Sequence, residues 1–220
     1  NWFLIYLFIF FFGILAVFFA ILISFIYSSS RNMIILVLGG IISSSLFSAL
    51  LSIIKYGADT NDVLPAITYW LMGSLSFSTS SIVWNLTIPM LGGILILIFF
   101  SKYLNALSLG DEEAKALGIN TKLIKLIIII VATLISALSV ILAGIIGWIG
   151  LIIPHITRLL FGADNKVILP MSALIGAIFL LIVDNTSKLI FSFEIPIGIV
   201  TAIIGIPIFI FVLKNAKKGF

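Results

Sequence analysis

The sequence has 220 residues, of which 62% are hydrophobic and only 9% are charged, and its formal net charge is +4. Because a soluble domain of this length needs roughly 25% charged residues to cover its surface, this composition excludes an ordinary water-soluble enzyme or nucleic-acid-binding protein. The absence of cysteine and the single histidine argue against a disulfide framework, a thiol nucleophile and a multi-ligand metal site. The sequence therefore predicts an all-α polytopic membrane protein that binds no metal and no nucleic acid.

Apolar runs long enough to cross a bilayer follow one another along the chain. Residues 65–81 are too rich in serine and glycine for a lipid-facing span, and we predict a short helix packed against protein there. The apolar run at 126–161 would measure about 54 Å as one helix, which exceeds a hydrocarbon core about 30 Å thick. We expect a break in it at Gly144, Gly147 and Gly150. About seven crossings result, at 2–26, 33–54, 86–104, the two parts of 126–161, 167–183 and 196–213.

Lysine and arginine are distributed unequally about these crossings. Ten lie on the face that carries the C-terminus, whereas Lys55 and Lys188 lie on the other face. By the positive-inside rule, this bias places the 110–125 loop and the C-terminus in the cytoplasm, and the 55–62 and 188–194 loops outside. The ten are Arg31, Lys102, Lys115, Lys122, Lys125, Arg158, Lys166, Lys214, Lys217 and Lys218.

The stretch at 110–125 is dense in both charge signs and must lie outside the hydrocarbon. Asp111 can cap a short helix there, and Gly118 stands where a left-handed terminator is wanted. Thr121 can then cap the following span. We interpret the loop as a structured knob that implies a socket on another protein, and a solvated helix joining two spans is the alternative. Its apolar contacts would be Ala114, Leu117 and Ile119.

Small and hydroxyl residues mark one face of the second span. Gly40, Ser44, Ser48 and Ser52 recur every four residues, which lines them along one side of a helix. Close helix packing is the simpler explanation. The alternative is that this face borders a polar pathway, to which the serines of the 65–81 segment would add.

His155 follows Pro154 and precedes Arg158 by one helical turn, near the cytoplasmic end of a short crossing. Because the sequence has no second histidine and no cysteine to complete a metal site, we predict a local role instead. In that role, polar side chains satisfy backbone groups that the proline leaves free.

Two features of the sequence concern ATP hydrolysis and proton transfer. The sequence contains no Gly-x-x-x-x-Gly-Lys-Ser/Thr phosphate loop, so ATP hydrolysis would have to belong to another subunit. Asp184 lies four residues before Lys188 and is expected to pair with it, and one acid with a lysine partner makes a poor proton relay. Glu194, just before Pro196, is expected to orient the turn into the last span.

Three motifs in a fixed order resemble the permease subunits of ABC importers for iron-siderophores, haem and cobalamin. They are LGDEEAKALG at 109–118, GIIGWIGLIIPHITR at 144–158 and EIPIGIVTAIIGIP at 194–207, and WLMGSL at 70–75 also fits the family pattern. The resemblance extends from about residue 1 to the C-terminus. Members of this family have ten membrane helices in a chain roughly half as long again. The predicted crossings therefore resemble the fourth to tenth helices, and we expect a chain truncated at its N-terminus.

The resemblance also implies roles for particular residues. Residues 1–220 would form a single permease domain, with a short external helix and with a cytoplasmic coupling loop at 107–122 that fits a cleft on an ATP-binding subunit. Lys188 would face acidic groups of an extracytoplasmic substrate-binding protein, and the motif of Pro154, His155 and Arg158 has no assigned role. The coupling residues would be Gly110, Asp111, Glu112, Glu113, Ala114, Lys115, Leu117 and Gly118, and the translocation path would be bordered by Gly40, Ser44, Ser48, Ser52, Ser74 and Ser76.

The expected assembly is a dimer with a second permease copy or homologue in a prokaryotic cytoplasmic (inner) membrane, with multi-pass topology and a cytoplasmic C-terminus. Its transported chelate would be an iron-siderophore, haem or cobalamin. This chain would bind no cofactor, because ATP and Mg would bind to the partner ATPase. The alternatives are an ion-gradient-driven secondary transporter and a non-transporting membrane fragment.

Overall fold

Helices make up nearly all of the computed structural model, which describes residues 2–27, 33–189 and 194–216. Those ranges contain no strand. Arg31, Lys217 and Lys218 lie outside the described residues. In chain order the helices are α1 (Trp2–Tyr27), α2 (Met33–Tyr56), α3 (Val63–Leu71), a 3-10 helix (Leu75–Phe77), α4 (Ser80–Phe99), α5 (Ser101–Leu109), α6 (Asp111–Ala116), α7 (Thr121–Ala143), α8 (Ile149–Phe161), α9 (Asn165–Leu189) and α10 (Ile197–Ala216).

Five of the described helices are long and apolar enough to cross a membrane, namely α1, α2, α4, α7 and α9. Two shorter apolar helices are α8 and the stretch Ile197–Ile210 of α10. A membrane-spanning helix satisfies its own backbone hydrogen bonds, which is why long apolar runs form helices in lipid. The predicted all-α membrane fold is confirmed, and the number of seven crossings stays a prediction.

The segment at 65–81 differs from the single short helix predicted for it. It contains most of α3, then the 3-10 helix, and α4 already begins at Ser80. Gly73 separates α3 from the 3-10 helix with a φ of +77°, a conformation that glycine adopts without strain. The third predicted span is also divided, because α4 ends at Phe99 and α5 begins at Ser101.

The predicted break in the long apolar run is confirmed, but it covers fewer residues than we predicted. Helix α7 ends at Ala143, and Gly144 follows with a φ of +67°. Trp148, at a φ of +69°, then precedes α8. Gly150 lies inside α8, so its assignment to the break was wrong.

Hydrogen bonds between connecting segments define two opposite ends of the helix bundle. Ser78 Oγ donates to the carbonyl of Leu142 at 2.7 Å, so the start of α4 meets the end of α7. We call this end, with residues 72–79, 144–148 and 194–198, the glycine face. At the other end, α5 is hydrogen-bonded to the first residues of α9. We call that end, with residues 100–125 and 158–166, the basic face.

Helices α4, α7 and α9 connect these two faces. They have 20, 23 and 25 residues, which corresponds to about 30 to 37 Å at about 1.5 Å per residue. A small core beside the glycine face, formed by Val183, Ile197 and Val200, holds α9 against α10. The 110–125 loop and the start of α9 thus lie on one side of the bundle, as the charge distribution predicted.

Candidate functional site

The short helix α6 on the basic face lies between two glycines. Gly110 has a φ of +128°, and a Cβ at this position would collide with the Glu113 carboxylate. At the other end, the N–H of Gly118 donates to the carbonyl of Lys115 at 2.8 Å and the N–H of Ile119 donates to that of Ala114 at 3.1 Å. This pair of bonds is a Schellman motif, and Gly118 adopts the left-handed conformation that the motif needs, with a φ of +78°. The predicted helix terminator is confirmed.

The two predicted capping residues have other roles. The N-cap of α6 is Gly110, and the Asp111 carboxylate instead accepts hydrogen bonds from Lys125 Nζ at 2.5 and 2.6 Å. The cap of α7 is Asn120, whose Oδ1 accepts from the N–H of Leu123 at 3.2 Å, and Thr121 is buried. The ion pair of Asp111 with Lys125 joins α6 to α7. Its two residues are 14 positions apart, so no pattern within a single helix predicts it.

The surface of α6 is charged and accessible. Glu112 and Lys115 form an ion pair of 2.7 Å, with side chains that are 84% and 51% exposed. Leu117 is exposed beside them, whereas Ala114 is fully buried within this chain. Of the three predicted apolar contacts, Leu117 is available to a partner subunit, Ile119 is half-buried, and Ala114 packs inside this chain.

A second polar contact on the basic face was missed by the sequence analysis. Asn105 of α5 donates from Nδ2 to Asp164 Oδ1 at 2.6 Å and accepts at Oδ1 from the N–H of Asn165 at 2.8 Å. Asp164 also accepts from the N–H of Lys166 at 2.9 Å, and it thereby caps α9. These hydrogen bonds, that from the Lys166 N–H first and that from Asn105 second, lower the pKa of Asp164 because they stabilise its charged form. The sequence Asp-Asn before an apolar run could have predicted that Asp164 caps a helix. No sequence pattern indicated that Asn105 of α5 would bind to Asp164.

Three connecting segments meet closely on the glycine face. A Cβ on Gly144 would collide with the carbonyl oxygen of Trp70, and one on Gly198 would collide with that of Met72. The N–H of Gly198 donates to the carbonyl of Met72 at 3.0 Å, and the N–H of Ile197 donates to that of Gly73 at 2.9 Å. Glycine is needed at these positions because backbones approach each other directly.

Glu194 organises this junction. Its Oε1 accepts from Ser74 Oγ at 3.0 Å and from Ser76 Oγ at 2.6 Å. The hydrogen bond from Ser76 contributes most to lowering the pKa of Glu194, and Ser74 and the charge of Lys188 act in the same direction against the effect of partial burial. Ser74 is buried, so its predicted place beside a pathway is not available in this chain.

The small-residue face of α2 does not pack against α1. That contact uses the preceding positions, since the carbonyl of Ala20 lies directly against Gly39 and Ser43 Oγ donates to the carbonyl of Ala16 at 2.8 Å. The described part of α1 therefore leaves the predicted stripe uncovered, and packing of the stripe against another helix stays a prediction. Nothing lies within 4 Å of a Cβ built on Gly40, and the three serines of the stripe, Ser44, Ser48 and Ser52, are exposed.

The remaining predicted residues lie on α8 and α9. Lys188 Nζ donates to Asp184 Oδ2 at 2.9 Å, which confirms the predicted pair, and the Lys188 side chain remains 43% exposed. His155 Nδ1 is hydrogen-bonded to the carbonyl of Leu151 at 2.7 Å, and its ring packs edge-on against Phe209 with centroids 5.7 Å apart. His155 therefore makes a local hydrogen bond, as predicted, but its acceptor is not the carbonyl of Gly150, which is the one that Pro154 leaves without a helical donor. Pro154 lies within α8, and Arg158 lies in its last turn.

The sequence profile of the FecCD transport family matches residues 1–215. This chain belongs to that family. The molybdate import system permease protein MolB of Haemophilus influenzae is 42% identical over 191 residues, which are 87% of this chain and 57% of the relative. A probable iron chelatin transport system permease protein of Helicobacter pylori is 39% identical, over 83% of this chain and 56% of the relative.

A solved structure is similar to this FecCD chain in fold and sequence. It is described as an inward-facing conformation of a metal-chelate type ABC transporter, and it superimposes with a TM-score of 0.79 at 42% identity. The match covers 87% of this chain and 62% of that chain. The FecCD chain thus spans between half and two thirds of the length of these three proteins. The three sequence motifs predicted that this chain belongs to this family of permeases, and the prediction is confirmed.

Proposed function

We propose that this chain is part of the transmembrane permease of an ATP-driven importer for a metal chelate or a related metal-containing solute. The observation that carries the proposal is helix α6, a charged and accessible helix held rigidly at the basic face of a chain of the FecCD family. Such a helix suits contact with a separate cytoplasmic ATPase subunit, which would hold ATP and Mg. The C-terminus would then be cytoplasmic as well.

The proposed ATPase contact is made by the outer side of α6. Glu112 and Lys115 are exposed charges there, and Leu117 adds an exposed apolar side chain. Helix α6 must be held rigidly, because a loosely attached helix would not transmit the movement of the ATPase to the membrane helices. The Asp111–Lys125 pair and the Schellman motif hold α6 in place.

The proposed path for the solute follows the serine-bearing face of α2, at the boundary with a second permease copy. Ser44, Ser48 and Ser52 are exposed in the single chain. Their face carries no charge between Gly40 and Ser52, and Lys55 follows on it in the last turn of α2. Hydroxyls without charge suit a large solute that is held weakly while it passes, because tight binding would need converging charged groups. Lys188, on the opposite end of the bundle from α6, would contact an external substrate-binding protein.

The solute itself is proposed as a class only. The two relatives described above are named for molybdate and for iron chelatin transport, and molybdate is not among the solutes expected from the three sequence motifs. We therefore propose testing molybdate, a ferric hydroxamate, haem and cobalamin side by side. Proteoliposomes with the full-length permease and its ATPase subunit would be loaded with ATP or ADP, with and without an ionophore. ATP-dependent uptake that resists the ionophore supports the proposal.

A transporter driven by an ion gradient is the rival. It needs acidic groups that support each other within the membrane. Outside α6, Asp184 is the one acidic residue within the described helices, and it is paired with Lys188. Uptake that requires an ion gradient and does not depend on ATP would contradict the proposed function.

The subunit contact has a test of its own. We expect Glu112→Lys combined with Glu113→Lys to abolish co-purification of the ATPase subunit with the full-length permease. The matched control is Asp59→Lys with Asp62→Lys, which changes the net charge equally at exposed positions in another loop. If both double variants lose the subunit, or neither does, α6 is not the contact.

A further inference from the structure

Asn105 joins α5 to the first turn of α9 with both ends of its amide group. The Nδ2 donates to the carboxylate that caps α9, and Oδ1 accepts from the first N–H of that helix. The amide therefore has one orientation that satisfies both contacts. A side chain with only a donor or only an acceptor could not replace it.

This contact lies at the edge of a packed interface, and Asp164 itself is exposed. Ser101 and Ala106 of α5 are buried, as are Asn165 and Ile168 near the start of α9. The side-chain packing around Asn105 limits sliding between the two helices. The hydrogen bonds then fix the register in which α5 meets α9.

Helix α5 is also continuous with the proposed ATPase contact. The N–H of Gly110 donates to the carbonyl of Leu107 at 3.3 Å, and the N–H of Ala114 donates to that of Gly110 at 3.1 Å, so α5 and α6 share one bonded corner. Helix α6 is therefore held in two directions. Asp111 ties it to α7, and α5 ties it to α9 through Asn105.

The far end of α9 reaches the glycine face. There the N–H of Ile195 donates to the carbonyl of Ser187 at 3.3 Å, and Val183 packs on Ile197 and Val200. A displacement of the first turn of α9 would thus be carried to the segment that holds Glu194. Proteins transmit such displacements through rigid helices and packed contacts that can adopt two arrangements.

We propose that Asn105 is a positioning residue that makes α9 move together with α6. Movement imposed on α6 by an ATPase subunit would then reach the glycine face along α9 as well as along α7. This inference rests on the proposed function, because it assumes that an ATPase moves α6. It identifies the side chain on which the second route depends.

The test measures movement at the far end of α9. The 220 residues contain no cysteine, so Tyr56→Cys and Leu189→Cys, at positions that are 94% and 80% exposed, would carry a pair of spin labels. The full-length permease with its ATPase subunit, labelled on one permease copy, would be studied in lipid nanodiscs by double electron–electron resonance. The probes are ADP and ATP with vanadate, and no transported solute is needed.

We expect ATP with vanadate to shift the distance between the labels in the parent. Asn105→Ala should reduce that shift by at least half, while the rate of ATP hydrolysis stays within about twofold of the parent. Asp164→Asn should keep the full shift, because an amide oxygen can still accept from Asn105 and from the N–H of Lys166. Ser108→Ala is the matched control, since Ser108 is exposed on α5 and bonds only to its own helix.

Each other outcome has a definite meaning. A parent that binds no ATPase subunit or shows no shift contradicts the proposed function. A normal parent with an unchanged shift in Asn105→Ala overturns the role of Asn105 and leaves the proposed function standing. If Asn105→Ala lowers the distance shift and the rate of ATP hydrolysis by the same factor, Asn105 only maintains the structure. If Asn105→Ala does not fold, Asp164→Ala, at an exposed position, removes the same acceptor and must reduce the shift where Asp164→Asn does not.

Discussion

Lys125 donates to both carboxylate oxygens of Asp111, at 2.5 and 2.6 Å, across a segment that includes all of α6. The two side chains are 36% and 29% exposed, so the pair is partly shielded from water. Together with the Schellman motif at Gly118, the pair sets the orientation of α6 relative to α7. A helix of only six residues has little stability of its own, and its geometry depends on these contacts.

Lys125→Met should weaken binding of the ATPase subunit by up to about fivefold, because ion pairs at such a position contribute about 0.2 to 1 kcal/mol. The melting temperature of the permease should change little. Lys122→Met, which removes a lysine three residues earlier on α7, is the control and should bind like the parent. Titration of the purified subunits by microscale thermophoresis measures the effect. Recovery of affinity in the exchanged variant, Asp111→Lys with Lys125→Asp, would identify the pair itself as the cause.

Gly198→Ala should destabilise the fold by about 1 to 3 kcal/mol, the cost of overpacking a site that cannot expand. The new Cβ would collide with the carbonyl of Met72 and crowd that of Ile145, and neither backbone can move without disturbing the glycine face. Thermal unfolding in detergent, monitored by the loss of monodisperse protein, measures this. Gly92→Ala in α4 is the control, because nothing lies within 4 Å of its Cβ. Equal melting temperatures for the two variants would contradict the close approach of these backbones.

The adjacent glycines of α2 should respond differently to a larger side chain. Gly39→Leu should prevent α1 from packing on α2, because the carbonyl of Ala20 occupies that space. Gly40→Leu should fold normally and lower transport, since its Cβ meets only open space on the proposed path. Size-exclusion chromatography separates the first effect from the second, and ATP-dependent uptake measures the second. Normal uptake in Gly40→Leu would remove this position from the path.

Glu194 should give the glycine face a stability that falls at acidic pH. Its pKa is lowered in the folded protein, so its contribution is present above the ordinary value of 4.5 and is lost as the pH falls through the folded value. Glu194→Gln should therefore flatten the dependence of the melting temperature on pH below about 4.5. Ser76→Ala should act in the same direction because Ser76 provides the largest stabilising hydrogen bond. Ser78→Ala is the control, since Ser78 bonds to the carbonyl of Leu142 instead, and a parent with no acid-dependent loss would refute the assignment.

Much of the local structure follows from patterns within a few residues. The apolar runs predict membrane helices because a bilayer leaves the backbone no other partner for its hydrogen bonds. Gly118 and the break near Gly144 were predictable, since both need backbone conformations that favour glycine. The pairing of Asp184 with Lys188 was predictable for the same local reason, because residues four apart share a helix face.

The contacts that position the candidate site depend on which helices become neighbours. Asn105 finds Asp164 59 residues away, and Ser74 finds Glu194 120 residues away. Asp111 could have capped its own helix, as its position suggests, but Lys125 offered a charged partner once α6 had folded back against α7. Hydrophobicity and glycine placement are properties of short segments, so most of the helices and the break near Gly144 could be predicted, whereas the break between α4 and α5 could not. The partner of each polar side chain depends on which helices pack together, so it became apparent only in the folded arrangement.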